Sequence, residues 1–126
     1  MYQVSRSLGL VLSDLVKDRL FVSGLVFKIV LLSLFVPEIQ TNWFVPFMTN
    51  AIENPSLNPW NTYSDIDGDI LAFPYGPIMF LVQLPLTLLG WLIDKATGLS
   101  YFLDFGFRAG LLVMDILLLT LIVQQF

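Results

Sequence analysis

The densest group of reactive side chains in the sequence is an acidic run, Asp65-Ile66-Asp67-Gly68-Asp69. Carboxylates this close together repel one another unless a cation or a hydrogen-bond donor lies between them. Oxygen atoms are the ligands that Mg²⁺ and Mn²⁺ prefer, so the run predicts a divalent metal, Mg²⁺ or Mn²⁺, bound by Asp65, Asp67 and Asp69. The alternative is an Asp/Gly turn that faces solvent and binds nothing.

Composition limits what other chemistry the chain can carry. It contains neither His nor Cys, which removes the commonest general base and the commonest transition-metal ligands. Catalysis would therefore have to use carboxylates, amides, hydroxyls, Lys or Arg. The net charge is −4 at pH 7, so nucleic acid is not an expected partner.

The same composition is typical of a membrane protein. Hydrophobic residues make up 56% of the 126, charged residues only 13%, and the mean hydropathy is +0.79. An ordinary soluble domain carries about 25% charged residues. We therefore expect the lipid bilayer to be a partner of the chain and the solvent of much of its surface.

Three apolar segments have the length, roughly 17–25 residues, that a helix needs to cross the hydrocarbon core. They are residues 20–36, 73–93 and 106–123. The remaining segments are an N-terminal helix, a long loop, a short loop and a C-terminal end, at residues 1–19, 37–72, 94–105 and 124–126. The helical spacing of Leu8, Val11, Leu12 and Leu15 predicts an interfacial helix, or a simple extension of the first span.

Basic residues predict the orientation of these segments, because cytoplasmic loops are enriched in Lys and Arg. Outside the first span, the basic residues are Arg6, Lys17, Arg19, Lys95 and Arg108. The loop at 37–72 has none. We predict that the N-terminus and the loop at 94–105 are cytoplasmic, and that the loop at 37–72 and the C-terminus are extracytoplasmic.

The long loop is rich in aromatic residues, among them Trp43, Phe44, Phe47, Trp60 and Tyr63. Such residues favour short helices in the headgroup layer over a flexible tether. The predicted fold class is therefore an all-α membrane protein. It has three transmembrane helices, an N-terminal interfacial helix and a long extracytoplasmic loop that contains short helices.

Lys28, Gln83 and Asp115 are polar side chains that lie within the predicted spans. Lys28 is eight residues past Leu20 and Asp115 is seven past Arg108, so they reach similar depths with opposite charge. We predict an intramembrane pair between them, direct or through Gln83. Snorkelling of Lys28 and a proton relay are the alternatives.

Several short motifs resemble the beginning of the GT-C-type integral membrane glycosyltransferases. Phe73-Pro74-Tyr75-Gly76-Pro77 resembles their aromatic-Pro-Tyr-x-Pro entry to the second span, and Asn58-Pro59-Trp60 resembles a turn in the preceding loop. Asp65-Ile66-Asp67 resembles their DxD-like carboxylates. In the third predicted span, the small residues of Arg108-Ala109-Gly110 are followed by the acidic Asp115, and this pattern is similar to one in the family's third span. The chain would correspond to the N-terminal quarter to third of such an enzyme.

The resemblance implies an inverting transfer of a sugar from a polyprenyl-phosphate donor, a lipid-linked sugar, to an extracytoplasmic acceptor. It implies Glu38, Asp65 or Asp67 as the catalytic base, with the start of the second span near the phosphate. The substrate contacts it implies are Trp60, Tyr63, Phe73 and Tyr75.

Two other functions fit the sequence. One is a small non-enzymatic membrane subunit that binds a larger membrane partner or further transmembrane helices. The other is a transport component that uses Lys28 and Asp115.

Overall fold

The computed structural model describes residues 7–125. Helices account for all of the regular structure in that range: six α-helices and one π-helical turn. They are α1 (Leu8–Lys17), α2 (Arg19–Leu34), the π turn (Gln40–Phe44), α3 (Val45–Glu53), α4 (Pro59–Ser64), α5 (Gly76–Thr97) and α6 (Phe102–Gln125). The prediction of an all-α protein is confirmed.

Two of these helices have the length and composition to cross a membrane. They are α5, with 22 residues, and α6, with 24. At 1.5 Å per residue they measure about 33 and 36 Å, against a hydrocarbon core of about 30 Å. Only 22% and 28% of their most apolar stretches are buried, so both leave a large apolar surface for lipid. Helix α2 has 16 residues, or about 24 Å, and a crossing by this third segment stays a prediction.

The described chain divides into two compact units, which are treated separately below. Unit 1 comprises residues 7–34 and 112–125, and unit 2 comprises residues 35–111.

Unit 1 contains α1, α2 and the last part of α6. Helices α1 and α2 are separate, because Asp18 between them is extended, with φ −76° and ψ 120°. The Asp18 carboxylate then accepts the backbone N–H of Leu20 at 2.8 Å, which caps the start of α2. The N-terminal helix is therefore not an extension of α2.

The bounds of α5 follow from local chemistry. Pro77 occupies its first turn, where the missing N–H needs no partner. Gly98 ends it with φ 71°, a left-handed conformation that glycine adopts without strain, and donates its N–H to the Asp94 carbonyl at 2.8 Å. The helix thus begins three residues after the predicted start at 73 and continues four residues beyond the predicted end at 93.

Helix α6 begins at Phe102, four residues before the predicted start at 106. The reason is Asp94, near the end of α5, whose carboxylate accepts three successive backbone N–H groups. Oδ1 accepts from Tyr101 at 3.2 Å and Phe102 at 2.9 Å, and Oδ2 accepts from Leu103 at 2.8 Å. These donors have no partner inside the helix, so Asp94 both caps α6 and closes the α5–α6 hairpin.

Glycines let α5 and α6 approach closely. A Cβ at Gly90 would overlap the backbone of Phe102, and a Cβ at Gly106 would overlap that of Leu86. Small residues play the same part where helices pack in membranes.

The core of unit 2 is largely aromatic, and the predicted loop shares it with the two long apolar segments. Phe47, Phe73, Phe80 and Phe107 are at least nine-tenths buried. The rings of Phe47 and Phe73 stack at 5.2 Å, and Nε1 of Trp60 donates to the Phe73 carbonyl at 2.9 Å. Residues 37–72 therefore contain short helices that pack into the unit.

Candidate functional site

The acidic run forms the turn that ends α4. Three backbone N–H groups return to the last turn of the helix: Ile66 to Tyr63 O at 3.3 Å, Asp67 to Ser64 O at 3.1 Å and Gly68 to Tyr63 O at 2.9 Å. Asp67 is left-handed, with φ 61°. This is the hydrogen-bond pattern of a Schellman motif, in which Asp tolerates the left-handed position.

Gly68 is required by the same turn. A Cβ there would lie 2.5 Å from Cδ1 of Tyr63 and 2.6 Å from its carbonyl oxygen. The Asp-Gly pair in the middle of the run therefore has a structural role in ending the helix.

The three carboxylates are exposed and are not gathered around a common point. Oδ1 of Asp69 accepts the N–H of Leu71 at 2.8 Å, a local turn bond. Within residues 7–125, no group of three or more His, Cys, Asp or Glu side chains is arranged to hold a metal ion. The arrangement does not fit a ready metal site, and the predicted Mg²⁺ or Mn²⁺ stays a prediction.

The remaining residues that the resemblance implied have different surroundings. Glu38 is exposed, just before the π turn. Phe73 is 1% exposed and belongs to the core, together with the partly buried Trp60 and Tyr63. Tyr75 is 56% exposed, so of the four aromatic residues it alone presents most of its ring to the surroundings.

Glu53 forms a polar cluster with the end of α5 that the sequence did not predict. Its Oε1 lies 3.2 Å from Nζ of Lys95 and accepts Nε1 of Trp91 at 3.3 Å. The Lys95 ammonium also lies 5.3 Å from the Trp91 ring centroid. The Trp91 hydrogen bond, followed by that from Lys95, holds the pKa of Glu53 below its ordinary value of 4.5.

This cluster bears on the predicted topology. Helix α5 is about 33 Å long, and Glu53 contacts its last turns rather than its first. Residues 37–53 are therefore not confined to the region before the first turn of α5, because Glu53 reaches the opposite end of that helix. The contact is not compatible with Glu53 and Lys95 on opposite sides of a membrane, and the orientation of the chain stays a prediction.

Arg108 is a buried residue of unit 2 rather than a surface charge. It is 4% exposed. Its Nη1 donates to the Phe35 carbonyl at 3.1 Å and its Nε to the Asp104 carbonyl at 3.2 Å. It therefore fixes the chain after α2 against α6. In the sequence, Arg108 contributes to the predicted orientation as a basic residue, and a count of charges could not reveal this structural role.

Lys28 and Asp115 lie together in unit 1. Nζ of Lys28 is 2.9 Å from Oδ2 of Asp115, a direct ion pair. The side chains are nevertheless 57% and 61% exposed. They line a groove of about 390 Å³ whose other walls are apolar, including Leu25, Leu112 and Ile116.

Gln83 was the alternative link between the two charges, and their direct contact does not require it. It lies in unit 2, is 0% exposed, and packs its amide against Gly110. Neither its Nε2 nor its Oε1 has a hydrogen-bond partner among the described residues.

Comparison with known proteins identifies no relative. No family model, no curated protein and no solved structure matches this chain. Its function therefore has to be argued from the geometry above.

Proposed function

We propose that this chain is a small subunit of a larger membrane assembly, and that the unit 1 groove binds a transmembrane helix of the partner. The observation that carries the proposal is the exposure of α2. Every residue of this apolar 16-residue helix is at least partly exposed, and none is buried. A helix that is apolar on all sides is stable where lipid or other helices surround it.

The ion pair favours a helix over lipid as the occupant of the groove. A charged side chain at the bilayer centre costs about 2.5–3.5 kcal/mol on insertion scales. Pairing Lys28 with Asp115 lowers that cost, but more than half of each side chain still faces outward. A helix seated in the groove would shield both groups from lipid.

The chemistry of the pair specifies what the partner helix should present. Lys28 and Asp115 neutralise each other, so a further charge would have no counter-ion. A hydroxyl or amide from Ser, Thr, Asn or Gln would complete their hydrogen bonds, for about 0.6–2 kcal/mol per bond. We therefore expect an apolar partner helix with one such residue at this depth.

Substitution of the pair tests the proposal by the size of the complex extracted in mild detergent. Lys28→Ala and Asp115→Ala should each lose the partner and destabilise the chain, because each leaves one charge unpaired. The double variant should lose the partner but keep the folded chain. Phe27→Ala, exposed and outside the groove, is the control. A double variant that keeps the wild-type complex would contradict the proposal.

As a second function, we propose that the chain forms the N-terminal part of a GT-C-type glycosyltransferase. One observation supports it: the carboxylates of Asp65 and Asp67 are exposed and make no hydrogen bond within the described part of the chain, so they are accessible to a substrate. In a longer enzyme, Asp65→Ala with Asp67→Ala should abolish sugar transfer. Full activity in that variant would leave Glu38 as the acid to test.

A further inference from the structure

A glycine, Gly24, lies within α2 and lines the unit 1 groove. It is exposed and comes four residues, or about one helical turn, before Lys28 on the same wall. Glycine inside a helix is destabilising relative to alanine, because its backbone loses more conformational freedom on folding. A glycine at this position therefore needs a physical reason.

The fold of the described chain does not require Gly24. Its φ is not positive, and a Cβ there would meet no atom of the described residues within 4 Å. Gly90 and Gly106 differ in this respect, because a Cβ at either would overlap the backbone of a neighbouring helix. Alanine at position 24 would fit the structure and strengthen α2.

Gly24 is a gap in an otherwise bulky wall. The other residues through which α2 lines the groove all carry large side chains: Leu20, Phe21, Leu25 and Lys28. At Gly24 alone among them, no side chain covers the backbone of α2. The groove is therefore open to the backbone at a point one turn from the exposed ion pair.

We infer that the partner helix packs against the backbone of α2 at Gly24, and that this contact limits which helices the groove accepts. The inference rests on the proposed subunit role. Lipid tails are as apolar as leucine, so helices associate in membranes through close packing, and small residues let their backbones approach. The partner should therefore carry Gly, Ala or Ser at the contact, about one turn from the residue that bonds Lys28 and Asp115.

Substitution of Gly24 tests the contact by photo-crosslinking in intact membranes. A benzophenone side chain at Leu119, which is exposed and lines the groove from α6, leaves α2 free for substitution. At expression levels that do not saturate the partner, Gly24→Ala should lower the yield of the protein adduct about tenfold, or about 1.4 kcal/mol. The reason is that one methyl group at a point of backbone contact forces the two helices apart.

The stability of the isolated chain should change in the opposite direction. Gly24→Ala should unfold in micelles at a higher denaturant concentration than the wild type, because alanine favours the helix and its methyl group meets nothing in the described chain. Gly9→Ala is the matched control, since Gly9 is also open but lies in α1, outside the groove. It should leave the adduct yield unchanged.

The outcomes separate this inference from the proposed function on which it rests. A wild-type yield in Gly24→Ala, with the adduct lost in the Lys28→Ala/Asp115→Ala double variant, would overturn the role of Gly24 and leave the subunit role standing. An absence of any protein adduct in the wild type would overturn both. A Gly24→Ala chain that loses the adduct and also unfolds more easily would show that the glycine serves the fold, which would overturn the inference.

Discussion

Asp94 and Glu53 each join two elements of unit 2 through a single carboxylate. Asp94 satisfies the first N–H groups of α6, and Glu53 connects the end of α3 to Trp91 and Lys95. Trp91 is 38 residues from Glu53 in the sequence, and the groups that Asp94 binds belong to the start of the next helix. Such contacts decide where helices end and which segments pack together.

The pKa of Glu53 leads to a prediction about acid. Because the folded pKa lies below 4.5, the stabilisation is fully present above pH 4.5 and is lost as the pH falls through the folded value. Glu53 is 42% exposed, so we expect an effect below about 1 kcal/mol. Unfolding of wild type and Glu53→Gln in micelles should show a stability difference at pH 7 that shrinks towards zero in a series of pH values falling from 4.5 through the folded pKa.

Glu53→Asp is the matched control for that measurement. It keeps the charge but shortens the side chain by one methylene, so it should lose the contact with Trp91 and Lys95, whereas Glu53→Gln keeps an acceptor oxygen and loses the charge. If wild type and both variants lost stability in parallel on acidification, Glu53 would not be the titrating group.

At the scale of elements, the α5–α6 hairpin depends on backbone contact at two glycines. Gly90→Ala and Gly106→Ala should each cost about 1–3 kcal/mol, because the added methyl would overlap backbone that cannot move aside. Gly24→Ala in α2 is the control, since its Cβ meets nothing within 4 Å. It should gain about 0.5–1 kcal/mol from helix propensity. Equal effects at all three positions, measured by denaturant unfolding in micelles, would exclude close packing of α5 and α6.

Element types were predictable from the sequence, but element bounds were not. Pro77 and the apolar run after it predict α5, and the aromatic residues of 37–72 predict short helices. The start of α6 was predicted four residues late, because its capping carboxylate, Asp94, comes from the preceding helix. Local patterns carry no information about such a contact.

The sequence predicted the candidate site only where charged residues stand within apolar segments. A lysine and an aspartate within apolar segments are rare enough to indicate a partner for each, and the structure places them 2.9 Å apart. The acidic run is a case that the sequence could not decide. Its spacing suits a metal, but the same residues form the hydrogen bonds that end α4, and sequence alone left both interpretations open.

At the scale of the whole molecule, unit 2 makes a prediction about membrane sides. The chain has no Cys, so single cysteines report accessibility without background. Ser56 follows Glu53 closely and Ser100 lies between α5 and α6; both are exposed. Since Glu53 contacts Lys95 at the end of α5, Ser56→Cys and Ser100→Cys should react with a membrane-impermeant maleimide from the same side. Labelling from opposite sides would contradict the contact and support the charge-based orientation.

The most direct test of a partner helix in the groove is photo-crosslinking in intact membranes from a benzophenone side chain at Leu25. This position lines the groove, and Phe27, 63% exposed and outside it, is the matched control. We predict one discrete adduct from position 25, absent from position 27, that mass spectrometry assigns to a transmembrane helix of another protein. The adduct should disappear in the Lys28→Ala/Asp115→Ala double variant. Lipid adducts alone, or an adduct with a second copy of this chain, would contradict the proposed subunit role.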